Sequence, residues 1–390
     1  MNIAYFDHNS TTALQTEVLE AMLPFMTNQH GNATSRHSFG RTARAAVEHA
    51  REQVANAVGA YANQIVFTAS GTEANNFAVR GICSNLDKGQ ILTSAIEHPC
   101  VSRPALAMQS SSKQAKSIHV DSNCNIHLAH LQKMLLAPTN LVSVMLVNNE
   151  TGVIQDIAKV AEMAREHKAY VHTDAVQALG KIPVDFFALG VHAMTVSSHK
   201  IGGPLGAGAL VLDKRIDIQP LLYGGGQERG LRSGTENVAA IVGFGAACNL
   251  ATKNLSVFDL HTANLRDHLE IGLAKLNAGL SGSSADATIF GYNGLRVANT
   301  SFFAFNNIEG ETLVTALDKA GFAVASGSAC SSDSTEPSHV LLAMGVPEDL
   351  ARGAVRVSFG LSNTMQEVEH FLLALKQELT RLRNLTAIAA

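Results

Sequence analysis

Val196-Ser197-Ser198-His199-Lys200-Ile201-Gly202-Gly203-Pro204-Leu205-Gly206 decides how this chain is read. The apolar run Ala193-Met194-Thr195-Val196 leading into it is a strand pattern, and the glycines and proline behind it neither continue a strand nor start a helix. One lysine is therefore placed at a strand end beside a serine and a histidine. A lysine that is partly desolvated there, with backbone open to a planar molecule, suits a Schiff base to pyridoxal 5'-phosphate. A solvated lysine in a glycine-rich loop is spelled the same way. The partners this cofactor requires must be found elsewhere in the chain.

The first is a carboxylate for the pyridine nitrogen, because the ring stores electrons only as a pyridinium. Ala169-Tyr170-Val171-His172-Thr173-Asp174 reads as a buried strand ending in Asp174, where open α/β sheets bind ligands, with Gln177 placed to reach the phenolic oxygen. Asp174 as a helix cap is the alternative. The second is a phosphate cradle. Strand-like Gln64–Ala69 runs into Ser70-Gly71-Thr72-Glu73 and then a helical pattern, and the open N–H groups of a helix start attract a dianion. Ser70 with Glu73 also spells a capping box. The third is ring packing. Ile91–Ile96 ends at Glu97-His98-Pro99, so His98 is a candidate to stack on the ring and move protons, or a plain turn residue. Leu141–Val147 ends at Asn148-Asn149-Glu150, making Asn149 a candidate ligand of the cofactor oxygen or the substrate.

In this order the motifs resemble the cysteine desulfurases of the NifS/IscS-like type, in the class V branch of fold-type I pyridoxal phosphate enzymes. The resemblance runs from Asp7-His8-Asn9-Ser10-Thr11-Thr12 through Gly31-Asn32-Ala33-Thr34-Ser35, Ser70-Gly71-Thr72-Glu73, Glu97-His98, Asn148-Asn149-Glu150-Thr151-Gly152 and Thr173-Asp174-Ala175-Val176-Gln177 to Ser198-His199-Lys200. It continues through Gly224–Thr235, Ser326-Gly327-Ser328-Ala329-Cys330 and Val355-Arg356-Val357-Ser358. It implies that Lys200 carries the cofactor, Asp174 pairs with the pyridinium, Gln177 and Asn149 bind near the phenolic oxygen and His98 stacks on the ring. It further implies that Gly71, Thr72, Ser197 and His199 hold the phosphate, joined by Thr235 from the other subunit of a homodimer. Arg356 would clamp the carboxylate of L-cysteine, a task that suits a guanidinium, and Cys330 would take the sulfur.

The implied reaction removes sulfur from L-cysteine, giving L-alanine and a Cys330 persulfide. The sulfur then goes to an acceptor protein such as an iron–sulfur scaffold, for cluster or other thio-cofactor synthesis. The alternative is a selenocysteine lyase or another class V aminotransferase-like enzyme. What favours the desulfurase is the thiol in Ala325–Pro337, a run of small residues unable to bury a core. Its length is similar to the longer-looped housekeeping and nitrogen-fixation branch. The family often has glycine at Ser198 and lysine at Leu205, positions without chemistry here. The early end after the helical Glu367–Lys376 puts docking of a scaffold in question, not desulfuration.

Composition agrees. The 390 residues are 46% hydrophobic with a net charge of −4, enough for one large and one small core and offering no basic surface to nucleic acid. Five scattered cysteines without metal-type spacing suit a reducing compartment and no metal. With no leader pattern and no apolar run judged long enough for a membrane, the expectation is a cytoplasmic protein. Strand-like runs near 64–69, 90–96, 116–120, 140–148, 169–174, 192–197 and 208–212 alternate with helical patterns such as 42–58 and 158–168. The expected fold is α/β, with a mostly parallel seven-stranded sheet in a large domain (14–257). Residues 1–13 and 258–390 form a smaller α+β domain that opens on a helix from Asp259 to Leu276 and carries the cysteine loop.

Overall fold

The computed structural model describes residues 3–279, 287–327 and 336–389. Its strands are β1 (Ala4–Tyr5), β2 (Ile65–Thr68), β3 (Gly89–Ser94), β4 (Lys113–Ile118), β5 (Thr139–Ser143), β6 (Tyr170–Asp174) and β7 (Ala193–Ser197). They continue with β8 (Gly208–Leu212), β9 (Ala287–Ile289), β10 (Thr300–Phe305), β11 (Phe322–Ala323), β12 (Ala325–Ser326) and β13 (Val355–Ser358). All seven runs expected for the large sheet are strands, in the order β2-β8-β7-β6-β5-β3-β4. Only β8 runs antiparallel to its neighbours. β5, β6, β7 and β8 are buried along almost their whole length, polar letters included, because helices cover both faces of such a sheet. Chain order reverses where β5 lies beside β3, and the carboxyl ends of β3, β5, β6 and β7 open on one crevice. That is where open α/β sheets place their ligands.

A second apolar cluster gathers Phe6, Phe303, Phe305, Phe322, Phe359 and Phe371 around the four-stranded sheet β12-β13-β10-β9. The N-terminal segment joins it, since β1 pairs in parallel with β11. A single helix, Val238–Gly279, links the two cores. Ala240, Phe244 and Cys248 pack under the large sheet, Leu265, Leu269 and Leu273 in the smaller cluster. It begins some twenty residues before the expected Asp259, and the expected division at 257/258 falls within it. The early start was hidden by Gly243 and Gly245, poor helix formers by propensity. Tertiary packing overrides that propensity. A Cβ at Gly245 would stand 2.8 Å from Ala50 Cα, so the glycine is what lets the helix Ser38–Ala57 lie close.

The expectation that no run could cross a membrane needs correcting on the same helix. Val238–Leu276 is long and apolar enough by length and composition, its most apolar 18-residue stretch having a mean hydropathy of 1.2. Ala240, Phe244, Cys248, Leu265, Leu269 and Leu273 of this helix pack into the two cores, while Val257, Leu260 and Ile271 are exposed.

Candidate active site

Each site residue stands where a strand or helix stops for a local reason. β7 ends at Ser197, and Ser198–Lys200 form one tight turn closed by Gly202 at φ +78°, a left-handed conformation that glycine adopts without strain. Lys200 is thereby turned back over the sheet, and its Nζ donates to the main-chain carbonyls of Asn9 (2.7 Å) and Ser10 (2.6 Å). β6 ends at Asp174, whose carboxylate accepts from Asn75 Nδ2 at 2.7 Å and from the Val176 N–H at 2.9 Å. Beyond β3, His98 caps the helix Pro99–Ala107, with proline at the first position where no N–H is needed. Ser70 caps the helix Gly71–Ser84 by accepting from Glu73 N at 3.1 Å.

These ends surround a cavity of about 340 Å³. Gly71, Thr72, His98, Asn149, Asp174, Gln177, Ser197, His199, Lys200 and Arg356 all line it. Thr235 does not line this chain's cavity and is exposed. Cys330 lies outside the described residues, as does the Gly/Ser-rich turn expected after the long helix.

The electrostatics follow from burial. Asp174 is pushed above the usual carboxylate range by desolvation, which Val176 N–H, Asn75, His98 and Lys200 oppose. Burial lowers His98, and Asp174 opposes the shift. His199 falls to about 4 through burial and the Lys200 charge. His98 Nδ1 receives the Cys100 backbone N–H at 3.2 Å and lies 2.9 Å from Cys100 Sγ. Nδ1 is therefore the acceptor and the ring proton sits on Nε2. Burial also lifts the Cys100 thiol, so it stays protonated and able to donate.

Three open groups test whether pyridoxal phosphate fits. Ser197 Oγ is buried without a hydrogen-bond partner beside the helix start at Gly71, as an anion site requires. A Cβ on Gly71 would stand 3.0 Å from Val176 and 3.4 Å from Ser197, so only glycine leaves that floor clear. Arg356 donates to Asn149 O, Asp7 Oδ1 and Ser10 Oγ, while its buried Nε has no hydrogen-bond partner among the described residues. The residues fit a phosphate, a pyridinium and a carboxylate.

Sequence reasoning missed several neighbours. Asn75 and Cys100 line the cavity, and Asn9 and Ser10 accept the lysine. Lys181, in Gly180-Lys181-Ile182-Pro183, reads as a solvated turn residue and is 4% exposed. The only signal for Asn9 and Ser10 was the quoted N-terminal motif.

An α/β chain whose lysine, carboxylate and serine-lined helix start converge at the strand ends belongs to the Aminotransferase class-V family, whose description matches residues 4–371. The cofactor of that family is pyridoxal 5'-phosphate, and the fold is fold-type I. The chain is similar to a cysteine desulfurase IscS of Methanosarcina thermophila, 40% identical over 98% of this chain and 94% of that one. It is equally similar to a cysteine desulfurase IscS of Dictyoglomus turgidum, 40% identical over 98% of this chain and 96% of the other. Among solved structures, a NifS-like protein superposes with TM-score 0.89 at 36% identity, covering 97% of this chain and 99% of its own. A structure described as SspA in complex with cysteine superposes with TM-score 0.80 at 29% identity, over 93% and 100%.

Proposed function

We infer that this chain is a cysteine desulfurase that takes sulfur from L-cysteine, releases L-alanine and carries the sulfur on Cys330. The observation behind the reading is that Lys200, Asp174 and Arg356 face one cavity in a chain that aligns with cysteine desulfurases over almost its full length. Ser197, His199 and the helix start at Gly71 and Thr72 would hold the phosphate, Asp174 the ring nitrogen, Gln177 and Asn149 the phenolic oxygen, and His98 the ring face. Bound there, the cofactor supplies an electron sink for the substrate Cα. Arg356 would offer its unpartnered Nε–H to the substrate carboxylate, which would fix the Cα–H bond relative to Lys200. Lys200, freed to its amine form, accepts the Cα proton. Cys330, as a thiolate, takes the substrate sulfur: a sulfur–sulfur bond forms, the Cβ–S bond breaks, and its electron pair stays on carbon to be protonated.

The domain division 14–257 against 1–13 and 258–390 is part of this proposal, supported by the second apolar cluster, which draws only on Ala4, Phe6 and residues from Leu265 onward, although Phe290, Phe302 and Val340 pack with the large core. So is a homodimer, supported by Thr235 being exposed and absent from the lining of its own chain's cavity, and by exposed Leu222 and Tyr223 in the same segment. A cytoplasmic site suits thiols that are unpaired at Cys83, Cys100, Cys124 and Cys248. The acceptor would be a protein such as an iron–sulfur scaffold.

The test is product analysis with L-cysteine. Wild type should release alanine and hold a persulfide on Cys330; Cys330→Ser should bind cofactor and cysteine yet release almost no alanine. Near-normal alanine from Cys330→Ser, or a transaminated product without alanine, refutes the reading. Mixed Lys200→Ala and Thr235→Ala chains regaining activity would support the shared site.

A further inference from the structure

Lys181 has no part in the reaction as read above, yet it is buried against the cavity wall. It follows β6 by seven residues, makes no ion pair among the described residues, and donates to Asn9 Oδ1 and Gln177 Oε1, each at 2.6 Å. Both amides turn their oxygens toward it, in keeping with the carbonyl oxygens, which only accept, that face their nitrogens on the other side. Gln177 turns Nε2 away, donates one hydrogen to the Asn9 main-chain carbonyl at 2.8 Å and keeps the other for the cavity it lines. Asn9 turns Nδ2 to Asn149 O at 3.2 Å and Thr300 Oγ1 at 2.9 Å, while Asn299 Nδ2 supports its Oδ1 at 3.1 Å. The Asn9 carbonyl that receives Gln177 is also the one on which Lys200 Nζ rests.

The surroundings say which form Lys181 takes. Burial lowers it well below the ordinary lysine value, and Lys200 and Arg356 add to the effect. His8, the other titratable group facing it, is itself lowered to about 4 by burial and by the Lys181 charge, while Asp7 is paired with Arg356 at 2.7 Å. As an amine, Lys181 still has two hydrogens for the same two oxygens. Its hold on the amides therefore does not depend on its charge.

We propose that Lys181 is a positioning residue of the cofactor site: it holds Gln177 as a hydrogen-bond donor into the cavity and fixes the side chain of Asn9, whose main-chain carbonyl receives Lys200. This rests on the pyridoxal phosphate reading and adds that Lys181 tunes the proton affinity of the bound cofactor without touching it. A donor aimed at the phenolic oxygen favours its deprotonated form. Without Lys181 the Gln177 side chain keeps only its bond to the Asn9 carbonyl, and its second N–H is held less firmly toward the cavity.

The experiment is a spectroscopic pH titration of four holoenzymes: wild type, Lys181→Met, Gln177→Leu and the double variant. In Lys181→Met the midpoint of the bound cofactor's absorption change should rise by about one pH unit, a tenfold change in proton affinity. The double variant should titrate where Gln177→Leu does, because Lys181 acts through Gln177. Additive shifts overturn the proposal, as does an unmoved midpoint in Lys181→Met at full cofactor content. Should Lys181→Met not fold, Lys181→Gln, whose shorter side chain keeps an NH2 group that reaches the two oxygens less well, carries the same comparison with a smaller shift in the same direction. A wild-type chain that shows no cofactor absorption at all overturns the underlying reading instead, and is recognised before any variant is made.

Discussion

Removing the charge of Glu228 while keeping its shape should destabilise the protein by several kcal/mol, and removing Arg51 as well should recover much of the loss. The two form a buried bidentate pair: Arg51 Nη1 to Glu228 Oε2 and Nη2 to Oε1, each 2.7 Å, with side chains 4% and 2% exposed. Oε2 also accepts the Phe67 N–H at 2.8 Å, and Arg51 Nη1 donates to the Ile65 carbonyl at 3.0 Å. This clamp fastens the segment Gly224–Thr235 to β2, next to the helix start that would bind phosphate. In Glu228→Gln the guanidinium loses its buried counter-charge and keeps only the exposed carboxylate of Glu48 at 3.2 Å, so the loss approaches, without exceeding, the cost of a broken buried pair, about 3–5 kcal/mol. Arg51→Met strands the carboxylate at a similar cost. In the double variant no charge is buried, and the amide introduced in place of the carboxylate can offer its oxygen to Phe67 N–H and its nitrogen to the Ile65 carbonyl. It should be less destabilised than either single variant, because replacing both members of a buried pair is often close to neutral. Urea unfolding of the holoenzymes, followed by far-UV circular dichroism at one protein concentration, reads the midpoints and slopes. If the double variant loses the sum of the two single losses, the pair is not coupled and the clamp fails as an explanation.

Glu97, pushed up to about 8 by complete burial and with Oε2 unpartnered, supplies a pH test. Its folded pKa is raised, so its contribution is fully present below the unfolded value and is lost as pH rises through about 8; Glu97→Gln should therefore match wild type near pH 4 and exceed it in stability by a margin growing to pH 8, at roughly 1.4 kcal/mol per unit. Equal stability of the two proteins across that window would rule the effect out. Ser197→Ala removes a hydroxyl that lacks a partner in the chain itself, so the cofactor-free protein should be no less stable, while cofactor dissociation should rise about 10–100-fold for one lost bond to a charged group. Equilibrium dialysis and thermal unfolding decide it, an unchanged affinity being the contrary result. Burial lifts Cys83 and Cys124 to about 12 and raises Cys100 and Cys248 as well, so alkylation of the native protein at pH 8 should spare all four while modifying Cys330. Rapid labelling of any of the four, read by mass spectrometry, would contradict that.

Lys200, Asp174 and His98 were legible because each is a polar letter at the end of an apolar strand, and strand ends of an α/β sheet meet in space whatever separates them in sequence. The contacts that hold them were not. Asn9 lies 172 residues from Lys181 and 290 from Asn299, and no periodicity in either segment announces the meeting. Lys181 stands in a glycine–proline turn, where a lysine is normally solvated; only the packing of β1 and the following segment over that turn makes it a buried donor. Ser70 and Glu73 show why two readings of the same letters need not compete. A helix start has four unmet N–H groups, and Ser70 caps only one of them, Glu73 N. The capping carboxylate of Glu73 would repel a phosphate placed at the remaining donors. Arg232, from the segment that Glu228 clamps, meets it at 2.7 Å. The cap orders the helix, the arginine cancels the charge of the cap, and the donors of Gly71 and Thr72 are left to the anion.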